Sequence, residues 1–342
     1  MGFLASGEMP DYPITLACRN YDGTNAILRG QLRPPGIDLR AVEVNDVVKM
    51  FAGMYKGEYD VSEMSLAETV YYVSRGRCDF IAIPVFPSRL FRHGFILYNL
   101  AAGIQGPQDL NGKKIGAMRW VQTAFIWLRG MLADEYRLSP KETKWHVWAL
   151  HHWDDPGSED DIVPRDGSRI GRFTEEGSDE YEINCRALVN GAVDALMTTE
   201  NPRYDLLAGE RNVRRLFGDV RETEGAYFRK TGILPIMHVM VLRRSLVDRH
   251  PELPEKLFAL FCQAKKMGRE WIRSIPSLSL AWKNQYLEEE QEIFQGDPWA
   301  YGVKKNFAVL SKFLSYCYAQ GVSAKEISPY DLFAPSTWEL SE

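Results

Sequence analysis

The sequence is poor in the features that sort a protein quickly. Its 5 cysteines, at positions 18, 78, 185, 262 and 317, are odd in number, scattered and without a CxxC pair. That fits reduced thiols in a cytosol better than a disulfide framework. No apolar run approaches the ~18 residues a membrane span needs. The first residues, MGFLASGEMPDYP, have neither the basic start nor the apolar stretch of a secretory leader, so the expectation is a cytoplasmic protein off the membrane. Basic charge is not in excess: a net charge of -5 leaves no footprint for a polyanion, and nucleic acid is not an expected partner. There is no GxGxxG after a strand, no P-loop and no GxSxG, so neither a nucleotide-phosphate cradle nor a nucleophile elbow is expected. Internal repeats are absent as well.

What is present is alternation. The 342 residues have room for two domains at roughly 100–200 residues each. ITLAC (14–18), IDLRAVEV (37–44), YDVSEMS (59–65), DFIAIPVF (79–86), GFILYN (94–99), KKIGAM (113–118), WHVWAL (145–150), VDALMTT (193–199), RNVRRLF (211–217) and PIMHVMVLRR (235–244) read as strands. Helices of about ten residues separate many of them, with Asn45 or Asp46 as a start and Gly57 and Gly191 as stops. Short strands alternating with helices predict α/β with largely parallel sheets. Residues 151–180 are acidic and rich in Gly and Ser and read as a surface loop with a small hairpin. Amphipathic helices follow Ser245 to about residue 320. Two α/β halves with a return strand near 236 predict a bilobal molecule. Lobe one is 1–115 plus 231–342, lobe two is 116–230, and a ligand cleft lies between them.

The candidate residues are those that strand ends deliver to that cleft. CRNYDGT (18–24), DVSEMS (60–65), VFPSRLFRH (85–93), MRWVQT (118–123) and PIMHV (235–239) together supply Arg19, Asp22, Ser62, Glu63, Ser65, Ser88, Arg89, Arg92, His93, Arg119, Thr123 and His238. Several arginines in one cleft suit an anion, because a guanidinium matches a carboxylate bidentately. Taken singly, Arg89 and Arg92 read as solvated loop cations, and His93 and His238 as bonded structural histidines. Glu63 at a strand end is harder to place in a core, since glutamate is seldom buried unpaired. His151-His152 with Asp154-Asp155 offers metal-ligand residue types, but in so acidic a segment the expectation is a solvated loop.

DVSEMSL (60–66), TAFIWLRGMLADEY (123–136), AIPVFPSRLFRH (82–93) and TGILPIMHVMVLRR (231–244) resemble the 4,5-dihydroxyphthalate decarboxylase family, from about Ile14 to about residue 270. The resemblance implies the type II periplasmic-binding-protein-like (Venus flytrap) fold with a helical C-terminal segment. It also implies non-oxidative loss of CO2 from a hydroxylated aromatic acid, with no cofactor and no metal; the alternatives are another lyase or hydrolase reaction on a cyclic acid, or a non-catalytic aromatic-acid-binding protein on the same scaffold. In that reading Arg89 and Arg92 hold carboxylate, His93 or His238 handles the hydroxyl proton, and Glu63 or His238 protonates the ring carbon. Arg19, Ser62, Ser65, Arg119 and Thr123 contribute to binding, and Phe86, Trp120 and Met237 keep the leaving group dry. The partner is a small aromatic acid, and a homo-oligomer is compatible with it. Two departures bear on the substrate: the family's CGDYDRT reads CRNYDGT here, which moves an arginine to position 19, and Arg119 stands where a glutamate is usual.

Overall fold

The computed structural model describes residues 12–151, 162–173, 180–199, 209–276 and 278–342. Two sheets organise them. The first has the order β2-β1-β3-β11-β4, from Tyr12–Cys18 (β1), Ile37–Glu43 (β2), Val61–Ser65 (β3), Phe80–Ile83 (β4) and His238–Arg243 (β11). Its first three strands are parallel, and β11 runs antiparallel to both β3 and β4. The second has the order β10-β5-β9-β6-β7-β8, from Ile96–Asn99 (β5), Lys114–Arg119 (β6), Lys144–Ala149 (β7), Arg169–Arg172 (β8), Ala195–Met197 (β9) and Val213–Arg215 (β10). Here β6, β7, β8 and β9 are parallel, while β5 is antiparallel to β9 and β10. Each sheet thus takes its antiparallel partner from chain that crosses between the two, the bilobal α/β arrangement expected.

Three expectations need correction. GFILYN was expected in the first lobe, yet β5 is hydrogen-bonded in the second sheet, so the first crossing falls between Ile83 and Ile96 rather than near 115. A strand's apolar pattern announces the strand and not its partner. The strand expected over 79–86 ends at Ile83, because Pro84 has no N–H for the ladder. Within 151–180, residues 169–172 extend the sheet as β8, parallel to β7, instead of folding into a hairpin. His152, Asp154 and Asp155 lie outside the described residues.

The helices follow local chemistry. In Val47–Lys56 (α2) the Asp46 side chain accepts from the N–H groups of Val48 and Lys49 at 3.1 Å, and Gly57 closes the helix in the left-handed region at φ 86°. Asp22–Leu28 (α1) follows β1, and Leu66–Arg75 (α3) starts directly from β3 with Ser65 as its cap. Glu180–Val189 (α5) packs on the second sheet, Thr123–Tyr136 (α4) packs against α3 and the tail, and Val220–Thr231 (α6) also meets the tail. Arg244–Arg249 (α7), Leu253–Ser274 (α8), Lys283–Phe294 (α9) and Phe307–Ala319 (α10) form the helical tail. Helix α8 crosses the start of α1 at Gly268, where any Cβ would collide with the Asp22 carbonyl. The tail also braces the second sheet: Gln320 accepts from the Trp120 indole and the Arg129 guanidinium. Among the described residues no helix is long and apolar enough to cross a membrane.

Candidate active site

The strand register assembles the centre of the site. Along β3 alternate residues face one way, so Glu63 and Ser65 share a face, and β11 sets Met240 opposite Glu63 and His238 opposite Ser65. His238 is therefore the diagonal neighbour of Glu63, and its Nδ1 lies 2.5 Å from Glu63 Oε1. Glu63 is fully buried, while the His238 side chain keeps 17% of its surface exposed. Two more donors reach the same carboxylate: the Tyr21 hydroxyl donates to Oε1 at 2.8 Å and the Arg19 backbone N–H to Oε2 at 3.0 Å. The loop that delivers them is fixed by Thr24, whose hydroxyl accepts from Tyr21 N–H and donates to Arg19 O. The edge of Phe51 on α2 packs against the His238 ring, 5.3 Å between centroids.

Burial by itself would push the Glu63 pKa up. The hydrogen bond and charge of His238, the Arg19 N–H and the Tyr21 hydroxyl more than offset this and hold the carboxyl below its usual range. The Tyr21 hydroxyl moves the other way, raised by burial and by the Glu63 charge. A carboxylate with three donors is an ionised anchor rather than a proton donor. Because Nδ1 is committed to it, Nε2 is the imidazole nitrogen left for chemistry.

Arg92 stands beside this centre. Its Nε donates to the sulfur of Met237, the chain neighbour of His238, at 3.3 Å, and its guanidinium lies over Phe95. Arg19 is half-buried, and its charge acts on the Tyr21 hydroxyl. Ser65 and Thr123 adjoin at the starts of α3 and α4, with hydroxyl oxygens 3.0 Å apart, and Thr123 Oγ1 accepts from Ala67 N–H.

Other expected residues go elsewhere. Arg89, only 5% exposed, donates to Ala300 O at 2.8 Å and Asn306 Oδ1 at 2.6 Å, and burial lowers its pKa to about 10. It ties the 87–93 segment to the tail instead of holding a ligand carboxylate. His93 is buried between Phe217 and Tyr227, 3.8 Å from Glu224, and burial lowers its pKa to about 4. It does not join His238. Ser62 faces the opposite side of β3 from Glu63 and bonds a backbone carbonyl. Phe86 packs against Tyr301 and Phe333, and Trp120 against Trp145 beneath the Arg129 guanidinium, so both rings serve cores. Arg119 Nε donates to His151 O. His151 itself, expected in a solvated loop, is buried against Tyr71 with Nδ1 3.6 Å from Glu68.

Tyr21 is the site residue the sequence reading missed. The available signal was weak: CGDYDRT and CRNYDGT share Tyr21, but they share Cys18, Asp22 and Thr24 too.

The fold is that of the periplasmic binding proteins. The aliphatic sulphonate binding protein SsuA from Escherichia coli superposes with a TM-score of 0.53 at 13% identity, covering 94% of this chain and 91% of its own. The alkanesulfonate-binding protein SsuA from Xanthomonas axonopodis pv. citri does so with 0.51, again at 13%, covering 96% and 99%. Within that fold, the family resemblance extends along the whole chain. A protein named 4,5-dihydroxyphthalate decarboxylase from Comamonas testosteroni is 27% identical over 337 residues, 97% of this chain and 99% of its own. One of the same name from Pseudomonas putida is 26% identical over 216 residues, 63% of this chain and 81% of its own. No family model matches the chain.

Proposed function

We propose that this protein decarboxylates a hydroxylated aromatic carboxylic acid of the 4,5-dihydroxyphthalate kind. The observation that carries the reading is the His238–Glu63 pair: an imidazole with one nitrogen anchored on a buried ionised carboxylate and its surface partly open. Such an arrangement fixes the ring's tautomer and balances its positive charge when it carries a proton. The names of the two relatives supply the substrate class.

The chemistry follows from those groups. An ionised ring hydroxyl ortho or para to the carboxylate pushes electrons toward the carbon that bears it. His238 delivers a proton from Nε2 to that carbon, and a C–H bond forms. The C–C bond to the carboxylate then breaks, its electron pair restores the aromatic ring, and CO2 leaves. Sequence alone left Glu63 and His238 as equal candidates for the acid. The depressed carboxyl pKa favours His238, with Glu63 as its orienting partner. Arg92 and Arg19 supply positive charge for the substrate's carboxylate groups. A tighter clamp would oppose the reaction, because charge held in the ground state must disperse as CO2 forms.

The test is turnover. The purified protein is incubated with a panel of hydroxylated benzoates and phthalates, with and without a chelator, and CO2 and the decarboxylated phenol are measured. Stoichiometric product from a dihydroxyphthalate supports the reading. Tight binding across the panel with no CO2 overturns it, and leaves a small-molecule binding protein like the fold's sulphonate-binding neighbours.

A further inference from the structure

One sizeable cavity is not lined by His238. It measures about 710 Å³, within the size range of small-molecule sites, and none of Arg19, Glu63, Arg92 and His238 lines it. The tail and the first lobe build it together: α8 crosses the start of α1 at Gly268, α9 folds back alongside, and Thr24 of the Tyr21 loop and Phe86, an expected ligand-site residue, also line it. Ile272, Leu280, Tyr286, Leu287, Phe294 and Trp299 give it a mostly apolar and aromatic wall.

One charged group in that wall is out of balance. Lys283, at the first position of α9, is 7% exposed. Its ammonium donates to two carbonyls at the end of α8, Arg273 O at 3.2 Å and Ile275 O at 2.5 Å. These leave a third N–H and no carboxylate partner among the described residues. The other buried lysine of the wall is different: Lys265 is paired with both Asp297 and Glu342, and Arg269 shares Asp297. A buried cation is costly unless an anion meets it, and two carbonyls at a helix end offset only part of that cost. Glu288 and Glu290 line the α9 side, and burial raises the Glu290 pKa, which weakens its claim to be that anion.

We propose that the cavity is a second ligand site, for a planar aromatic monoanion whose carboxylate meets Lys283 and whose ring lies along Tyr286 and Leu287. The site does not depend on the His238 chemistry. A purely structural Lys283, capping α8 and nothing more, is the competing account.

Isothermal titration of the full chain with 2-naphthoate separates them. The acid is expected to bind, and 2-naphthylmethanol, its neutral counterpart, about tenfold or more weakly. Lys283→Met and Leu287→Trp, which fills the cavity, are each expected to weaken the acid at least about tenfold, while Lys283→Arg retains most of the affinity. Equal affinity for acid and alcohol, or an unchanged affinity in Leu287→Trp, overturns the proposal. The Leu287→Trp and Lys283→Arg results stand even if Lys283→Met fails to fold. His238→Ala distinguishes the two sites: naphthoate binding is expected to survive it. Binding that is lost in His238→Ala and kept in Leu287→Trp places the ligand at the first site and sinks the second, leaving the decarboxylase reading to its own turnover test.

Discussion

Two histidine–glutamate pairs in this protein are built from the same side chains to opposite effect. His238 Nδ1 is 2.5 Å from Glu63, whose carboxylate also holds a hydroxyl and a backbone N–H. His93 Nδ1 is 3.8 Å from Glu224 and its imidazole makes no hydrogen bond to that carboxyl, which takes the backbone N–H groups of His93 and Gly94 instead. Where donors converge, the carboxyl pKa falls despite full burial. Where desolvation dominates, the histidine drops to about 4 and the glutamate rises to about 7, so between those values neither is charged. Distance and hydrogen bonding to the imidazole, not residue type, separate an ionised, anchored pair from a desolvated one.

The sharpest way to break the comparison is to remove each histidine. His238→Ala is expected to lower kcat/KM by ~10²–10⁴-fold, the usual worth of a general acid–base group, while His93→Phe stays within about threefold. Equal losses would erase the distinction. The glutamates come next. Glu63→Gln keeps the shape but removes the charge that balances the protonated ring, and about a hundredfold loss is expected. Glu224→Gln is expected to leave steady-state kinetics nearly unchanged.

The arginines beside the two pairs divide in the same way. Arg89→Met strands Asn306 and the Ala300 carbonyl, so urea denaturation should register about 2–4 kcal/mol of lost stability without a change in KM. Arg92→Met should do the reverse, raising KM about tenfold in a stably folded protein.

Stability against pH probes the second pair directly. His93 has a folded pKa of about 4, below the ordinary histidine value of 6.5, so the unfolded chain binds its proton first and stability falls as pH drops from 6.5 toward 4. Glu224 has a folded pKa of about 7, above the ordinary glutamate value of 4.5, so its contribution is present below 4.5 and is lost as pH rises toward 7. Each effect is on the order of 3 kcal/mol, and they oppose one another between pH 4.5 and 6.5. Urea midpoints of the parent protein should vary little there. His93→Phe should tilt the curve to favour acid, and Glu224→Gln to favour neutral pH. Parallel curves for all three proteins would mean the pair is solvated. The smallest expected effect belongs to Tyr21→Phe, which removes one of three donors to Glu63 and should lower kcat about two- to tenfold with KM nearly constant.

Much of this was legible from sequence where the causes are local. The alternation of PIMHVMV put His238 on the face of Ile236 and Met240, and the end of DVSEMS offered Glu63. Both survive because a strand's period of two fixes side-chain direction. Arg89, Arg92 and His93 were not separable, because the irregular segment after Pro84 has no period to orient them. His151 was misjudged because acidic neighbours in sequence say nothing about Tyr71 and Glu68, which approach it from another helix.

By itself, then, the sequence determined where most strands and helices fall and the α2 stop at Gly57, and narrowed its start to Asn45 or Asp46. Each depends on residues within a few positions of one another. The tertiary structure alone decided which sheet receives Ile96–Asn99, which arginine is spent on the tail, and which histidine is anchored. The physical reason is separation: Glu63 and His238 lie 175 residues apart. Desolvation and hydrogen-bond supply at such a contact are set by packing, which no local pattern encodes.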